Sequence, residues 1–140
     1  VAVTDLLADA RTAVATDARS AAIAVEVIPV HGEVRTDPAH VATVLSALLR
    51  NAVHPSTRAT RVVLSAQREG EFWQLRVADN GAGIPPADRA RLGDPFFTSK
   101  ADGPGLGLAT ARRLLAALEG SVSFAFPDTG GTVATVTLPA

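Results

Sequence analysis

Cysteine is absent from the 140 residues, so neither a disulfide nor a thiolate zinc site can form. No charge sign dominates either: thirteen basic against fourteen acidic residues leave a formal net charge of -1. Such a balance supplies no basic field for nucleic acid and no polybasic anchor for anionic lipid. No apolar run approaches the roughly 20 residues of a membrane helix, and no signal peptide opens the chain. His31, His40 and His54 are scattered and do not form a metal-ligand cluster. What is present, 47% apolar and 19% charged residues, suits a folded globular chain with a proper core. With no internal repeat and no linker, one domain is expected over residues 1–140.

Leu6, Leu7, Ala10, Val14 and Ala18 recur at helical spacing, which predicts a helix from Thr4 to about Ala21. Ile23 to Val30 is β-branched and alternating, a strand, and Glu33 to Thr36 is a candidate short strand. Asp37-Pro38 is a helix start, with a carboxylate N-cap and proline in the first helical position. Val41, Val44, Leu45, Leu48 and Ala52 make the buried stripe of that helix, and Pro55 stops it. Two strands follow, about Arg61 to Gln67 and Phe72 to Asp79, joined by a turn around Glu69-Gly70. Leu106 to Leu118 is a further helix, closed by Gly120, and Ser121 to Phe126 and Thr132 to Leu138 form a hairpin across Asp128-Thr-Gly-Gly131. Between these elements, Gly81 to Gly105 is mostly loop, with one short helical turn at Pro86 to Leu92. An irregular stretch of about 20 residues inside a compact domain is characteristically a functional lid.

Three places in this layout carry polar chemistry. Trp73, Leu75 and Val77 share one face of their strand, and by the same phase Asp79 points toward the core. A carboxylate there is costly unless it accepts hydrogen bonds. Either the strand has already ended and Asp79 starts a turn with Asn80-Gly81, or the carboxylate takes a hydrogen bond from a flat ligand such as adenine lying on Gly81 and Gly83. Asn51 lies within an otherwise apolar helix; its amide oxygen is a hard, neutral ligand of the kind magnesium accepts, or else a structural hydrogen bonder. His54, one turn on, is placed to reach a phosphate or to sit favourably at the helix dipole. Gly103-Pro-Gly-Leu106-Gly107 runs into a helix N-terminus, where free N–H groups favour phosphate. It is neither a Walker loop nor a dinucleotide fingerprint. Lys100 stands in the loop before it, to cover phosphate charge or remain solvated, and Phe96-Phe97 would pin the lid base to the core.

Taken in order, these elements resemble the catalytic ATP-binding domain of sensor histidine kinases, in the superfamily shared with gyrase, MutL and the heat-shock chaperones. Leu48-Leu-Arg-Asn-Ala52 is similar to the N box, Asp79-Asn-Gly-Ala-Gly-Ile-Pro85 to the first glycine box, and Asp94-Pro-Phe-Phe-Thr-Ser-Lys100 to the F box. Gly103-Pro-Gly-Leu-Gly-Leu108 is similar to the second glycine box, with Gly120-Ser-Val-Ser123 and Gly131-Thr132 completing the pattern. The resemblance covers nearly the whole chain. It implies an α+β fold, a two-layer α/β sandwich of the Bergerat type, with a mixed, mostly antiparallel sheet, helices on one face and a Gly-rich ATP lid. It implies that Asn51 binds magnesium, that Asp79 binds the adenine amino group, and that Gly83 admits the base. Gly103, Gly105 and Gly107 would form the phosphate-facing lid, and Thr132 would support the adenine end.

Two departures shape the functional expectation. Ala47 stands where the N box usually has a second polar residue, a glutamate acting as general base in the ATP-hydrolysing relatives. No histidine lies in a phosphoacceptor context, and the chain opens on Val1 with structured sequence. It is therefore read as a piece of a longer protein whose dimerisation helices precede Val1. The implied activity is transfer of the γ-phosphoryl group of magnesium-ATP to a histidine on that separate phosphoacceptor domain, with a response regulator as indirect partner. The expected setting is cytoplasmic, without nucleic-acid or membrane contact by this domain, although the parent can be membrane-anchored. No residue of the chain is assigned as catalytic. The rival readings are a degenerate nucleotide-binding or docking module, motivated by Ala47, and a serine kinase of the anti-sigma type.

Overall fold

The computed structural model describes residues 1–54, 58–82 and 106–140. Helices α1 (Val3–Ala13) and α2 (Ala15–Ser20) lead into strand β1 (Ala24–Val27). Helix α3 (Pro38–Ala52) crosses to the pair β2 (Arg61–Glu69) and β3 (Phe72–Asp79); α4 (Leu106–Ala117), β4 (Ser121–Ala125) and β5 (Thr132–Pro139) follow. The five strands form one sheet in the order β1-β2-β3-β5-β4. Only β1 and β2 are parallel, and α3 is the crossover that a parallel pair requires. The expected α/β sandwich with a mixed, mostly antiparallel sheet is the architecture observed.

The two-residue period of the strands divides the sheet into unlike faces. Val62, Leu64, Trp73, Leu75, Val77, Ala134, Val136 and Leu138 are buried, and the helices cover them. α3 lies between α1 and α4 and donates Val41, Val44, Leu45, Leu48, Leu49 and Ala52 to the same core. Each of these valine and leucine side chains stabilises the fold by about 1.5–3 kcal/mol on burial. The opposite face carries Ser65, Gln74, Arg76, Thr135 and Thr137, half-buried among their own neighbours. α3 starts as its sequence demands: Asp37 Oδ1 accepts the N–H groups of Ala39 at 3.0 Å and His40 at 3.3 Å, with Pro38 in the first helical position.

Several boundaries differ from expectation for identifiable reasons. The first helix is two, broken at the fully buried Val14, whose φ of -109° leaves the helical region. The Thr12 hydroxyl donates to the Ala8 carbonyl at 3.1 Å, a local bond that bends helices. β1 keeps four of the eight residues expected, and Glu33–Thr36 forms no strand, only a bridge between Glu33 and Ala2. β2 runs two residues further than expected, to Glu69. Pro55 and most of the predicted loop lie outside the described residues.

Gly120 closes α4 as expected, and the left-handed residue of that end is Glu119, with φ +58°. Gly120 N–H donates to Leu115 O at 2.7 Å and Glu119 N–H to Ala116 O at 3.1 Å, the paired bonds of a Schellman end. Gly120 is required for a different reason: a Cβ there would lie 2.6 Å from the Thr137 carbonyl of β5. Because a left-handed non-glycine residue is strained, Glu119→Gly is expected to stabilise the domain by about 0.5–1 kcal/mol after the entropy of glycine is offset. Urea unfolding measures this, and Gly120→Ala in the same assay should be destabilising.

Candidate nucleotide site

Asp79 is the last residue of the central strand β3, hydrogen-bonded in register between Val62 of β2 and Thr132 of β5. Its phase is that of Trp73, Leu75 and Val77, so it belongs to the helix-covered side, and it is half-buried. Thr132 is in phase with Ala134, Val136 and Leu138 and belongs to the same side. The two readings of Asp79 turn out to be compatible. The strand runs through it, and its Oδ1 also accepts the Gly81 N–H at 2.9 Å, starting the turn.

The hairpin glycines set how closely this turn is held. Gly131 has φ +89°, and a Cβ there would stand 2.1 Å from the Asp79 carbonyl oxygen. Gly130, at φ +100°, comes within 3.4 Å of the Gly81 carbonyl by the same measure. The backbone at Asp79–Gly81 therefore rests on the Gly130–Gly131 backbone with no side chain between them. In the sequence these glycines mark a hairpin turn and the end of a motif; that they abut Asp79, some fifty residues earlier (131 minus 79 is 52), emerges only from the strand register.

Two helices carry the remaining candidate residues that are described. The segment leading to α3 is held at the beginning of β3, where the Trp73 indole N–H donates to Glu33 O at 3.2 Å. The helix packs along β3 and ends at Ala52, ahead of the segment that enters β2 next to Asp79. Asn51 is half-buried in its last turn, His54 is half-buried just beyond, and Ala47 is half-buried and packed against the core. α4 ends with Gly120 against Thr137 and Leu138, at the Trp73 end of the sheet. Its 12 residues extend about 18 Å from there. Leu106 and Gly107 are its first two residues. Gly83, Lys100, Gly103 and Gly105, together with the Phe96-Phe97 pair, lie outside the described residues.

One cation close to the site is committed elsewhere. Arg61 donates to Glu26 Oε2 at 2.7 Å on the open face of the sheet. That hydrogen bond, and then the charge of Glu26, raises the guanidinium pKa further above its ordinary value. Among the described residues no three His, Cys, Asp or Glu side chains converge to hold a metal. The donor set near Asp79, a carboxylate, a hydroxyl and bare glycine backbone, suits the edge and face of an adenine ring.

A helix-covered, mostly antiparallel five-stranded sheet with an acid at the end of its central strand defines an ATPase-like α/β sandwich. Residues 36–140 match the family described as histidine kinase-, DNA gyrase B- and HSP90-like ATPase, and the chain belongs to that family. The sensor histidine kinase RcsC of Escherichia coli strain K12 is 35% identical over 109 residues, 74% of this chain and 11% of its own length. A mycobacterial sensor histidine kinase, MprB, superposes with a TM-score of 0.81 at 26% identity, covering 99% of this chain and 95% of that one. The full-length kinase ShkA, solved in complex with AMPPNP, gives 0.81 at 28% identity over 99% of this chain and 30% of that one. The chain spans about a tenth to a quarter of the length of the curated relatives it matches. It is a histidine-kinase-type ATPase domain. Among the described residues no helix is long and apolar enough to cross a membrane.

The contact between Gly131 and Asp79 makes a direct prediction. Gly131→Ala forces a left-handed alanine, at about 1–2 kcal/mol, and a clash that only displacement of Asp79 relieves. We expect a lower unfolding midpoint together with weakened ATP binding in calorimetry. Full retention of both would show that the close approach is unnecessary.

Proposed function

We propose that this chain binds magnesium-ATP at the Asp79 end of the sheet and presents its γ-phosphoryl group to a histidine on a separate dimerisation domain. The observation carrying this reading is the in-register pairing of Asp79 with Thr132, on the helix-covered side and beside the side-chain-free Gly131. Asp79 would accept a hydrogen bond from the adenine amino group, and Thr132 would support the same end of the base. Asn51 would offer its amide oxygen to magnesium, which supplies charge neutralisation at the phosphates, and His54 would stand near them. Gly81, Gly83, Lys100, Gly103, Gly105, Leu106 and Gly107 complete the proposed contact set, the last two at a helix N-terminus that favours anions.

In this reading the chain forms no covalent intermediate. It orients the phosphates and offsets their charge, which is most of what phosphoryl transfer asks of a protein. The nucleophile would come from the partner domain, and a response regulator would receive the phosphoryl group afterwards, in the cytoplasm where ATP is available. The crystallised relative ShkA was solved with AMPPNP, an ATP analogue, which supports the nucleotide assignment.

Two measurements test the proposal. Asp79→Asn removes a charge-assisted acceptor, so ATP affinity in calorimetry should fall about tenfold to a hundredfold while the circular dichroism is retained; unchanged affinity would remove the adenine role. The chain by itself should bind ATP yet incorporate little or no phosphate from labelled ATP. Robust histidine phosphorylation of the chain alone would sink the proposed division of labour. If no ATP binding is detected up to millimolar concentration, the docking-module reading motivated by Ala47 takes its place.

A further inference from the structure

Asn80 follows Asp79 directly, is exposed, and points away from the proposed base site, yet its side chain makes three hydrogen bonds to one short segment. Its Oδ1 accepts the N–H groups of Thr60 at 2.9 Å and Arg61 at 3.0 Å. Its Nδ2 donates to Thr60 Oγ1 at 2.8 Å, and its own N–H donates to Arg61 O at 3.3 Å. Thr60 is in turn bound to β1, because its carbonyl accepts from Ala24 N–H at 3.0 Å. The ladder proper stops at the Val62–Asp79 pair, so these bonds extend the β2–β3 grip one residue past the strand end.

The consequence for Asp79 comes from what lies on its other side. Gly131 and Gly130 abut the Asp79 and Gly81 carbonyls from β5, and no side chain fills the gap between those backbones. Asp79 is thus clasped between a bare backbone contact toward β5 and the Asn80 bonds toward β2. Without the Asn80 amide, the Asn80 N–H bond to Arg61 O, at 3.3 Å, is what still ties the turn to the Thr60–Arg61 side, so the turn and the Asp79 carboxylate beside it gain play. The loss in global stability should be small, since the groups involved are exposed and water replaces them.

From this geometry we infer that Asn80 is a positioning residue for base selection: it acts through Asp79, latching the end of β3 to Thr60 and Arg61 so that the carboxylate meets the adenine 6-amino group. The inference rests on the nucleotide reading given above. It is distinct from a contact between Asn80 and the ligand.

The test compares two nucleotides on the full 140-residue chain. One is ATP; the other is purine riboside triphosphate, which has hydrogen in place of the 6-amino group. The unaltered chain should prefer ATP. Asn80→Ala should weaken ATP binding about tenfold, as expected for a misplaced hydrogen bond to a charged group, and change the analogue by less than about twofold, so the preference collapses. Asn80→Asp keeps an oxygen that accepts the Thr60 and Arg61 N–H groups, while the Thr60 hydroxyl turns to donate to it, and the preference should return. Equal weakening of both nucleotides in Asn80→Ala would mean a merely structural role and overturns the inference, as does an unchanged preference or failure of Asn80→Asp to restore it. Absence of ATP binding by the unaltered chain would instead overturn the nucleotide reading, and this inference with it.

Discussion

The alternation of β3 is the constraint on which the rest of the structure depends. The strand is paired on both sides, by β2 and β5, so its register cannot slip without moving every neighbour to the wrong face. Trp73, Leu75 and Val77 must face the helices because nothing else can cover their apolar surface. The same two-residue step then delivers Asp79 to that side, at the edge of the core rather than within it. Packing and polar placement are therefore one requirement. A carboxylate brought there by hydrophobic register sits in the half-dry setting where a hydrogen bond gains strength without the full cost of burial.

Much of this was readable from the chain, because periodicity is a local signal. The α3 stripe, its Asp37 cap and the phases of β3 and β5 appear where the apolar spacing places them. Misreadings occurred where tertiary contacts override local preference. Gly120 ends its helix as read, yet the Thr137 carbonyl of a distant strand is what excludes a side chain there, and Glu119 rather than a glycine takes the left-handed geometry. The break at Val14 is likewise invisible in a stripe of apolar residues that continues across it. Of the proposed site, the strand-end positions of Asp79 and Thr132 and the helix-end position of Asn51 were legible in the sequence. The bonds from Asn80 to Thr60 join residues 20 apart and leave no trace in composition or spacing.

Helix α3 places a small residue where the resembling N boxes carry a second polar one. Ala47 sits on the half-buried flank of α3 and packs against the core, a position that a small apolar residue satisfies without help. Asn51, one turn further, keeps the polar character of that flank at the helix end. The combination fits the proposed role of holding phosphates rather than activating water.

The chain contains a single tryptophan, Trp73. It is 3% exposed, its indole N–H is tied to Glu33 O, and Gly32 presses on its ring so closely that a Cβ would reach within 2.5 Å of it. Six residues separate it from Asp79, about 20 Å along an extended strand. The protein thus carries an optical reporter at the far end of its sheet from the polar site. Its emission follows the integrity of the core, whereas a fluorescent nucleotide would follow the other end, so unfolding and occupancy can be observed in the same cuvette as separate signals.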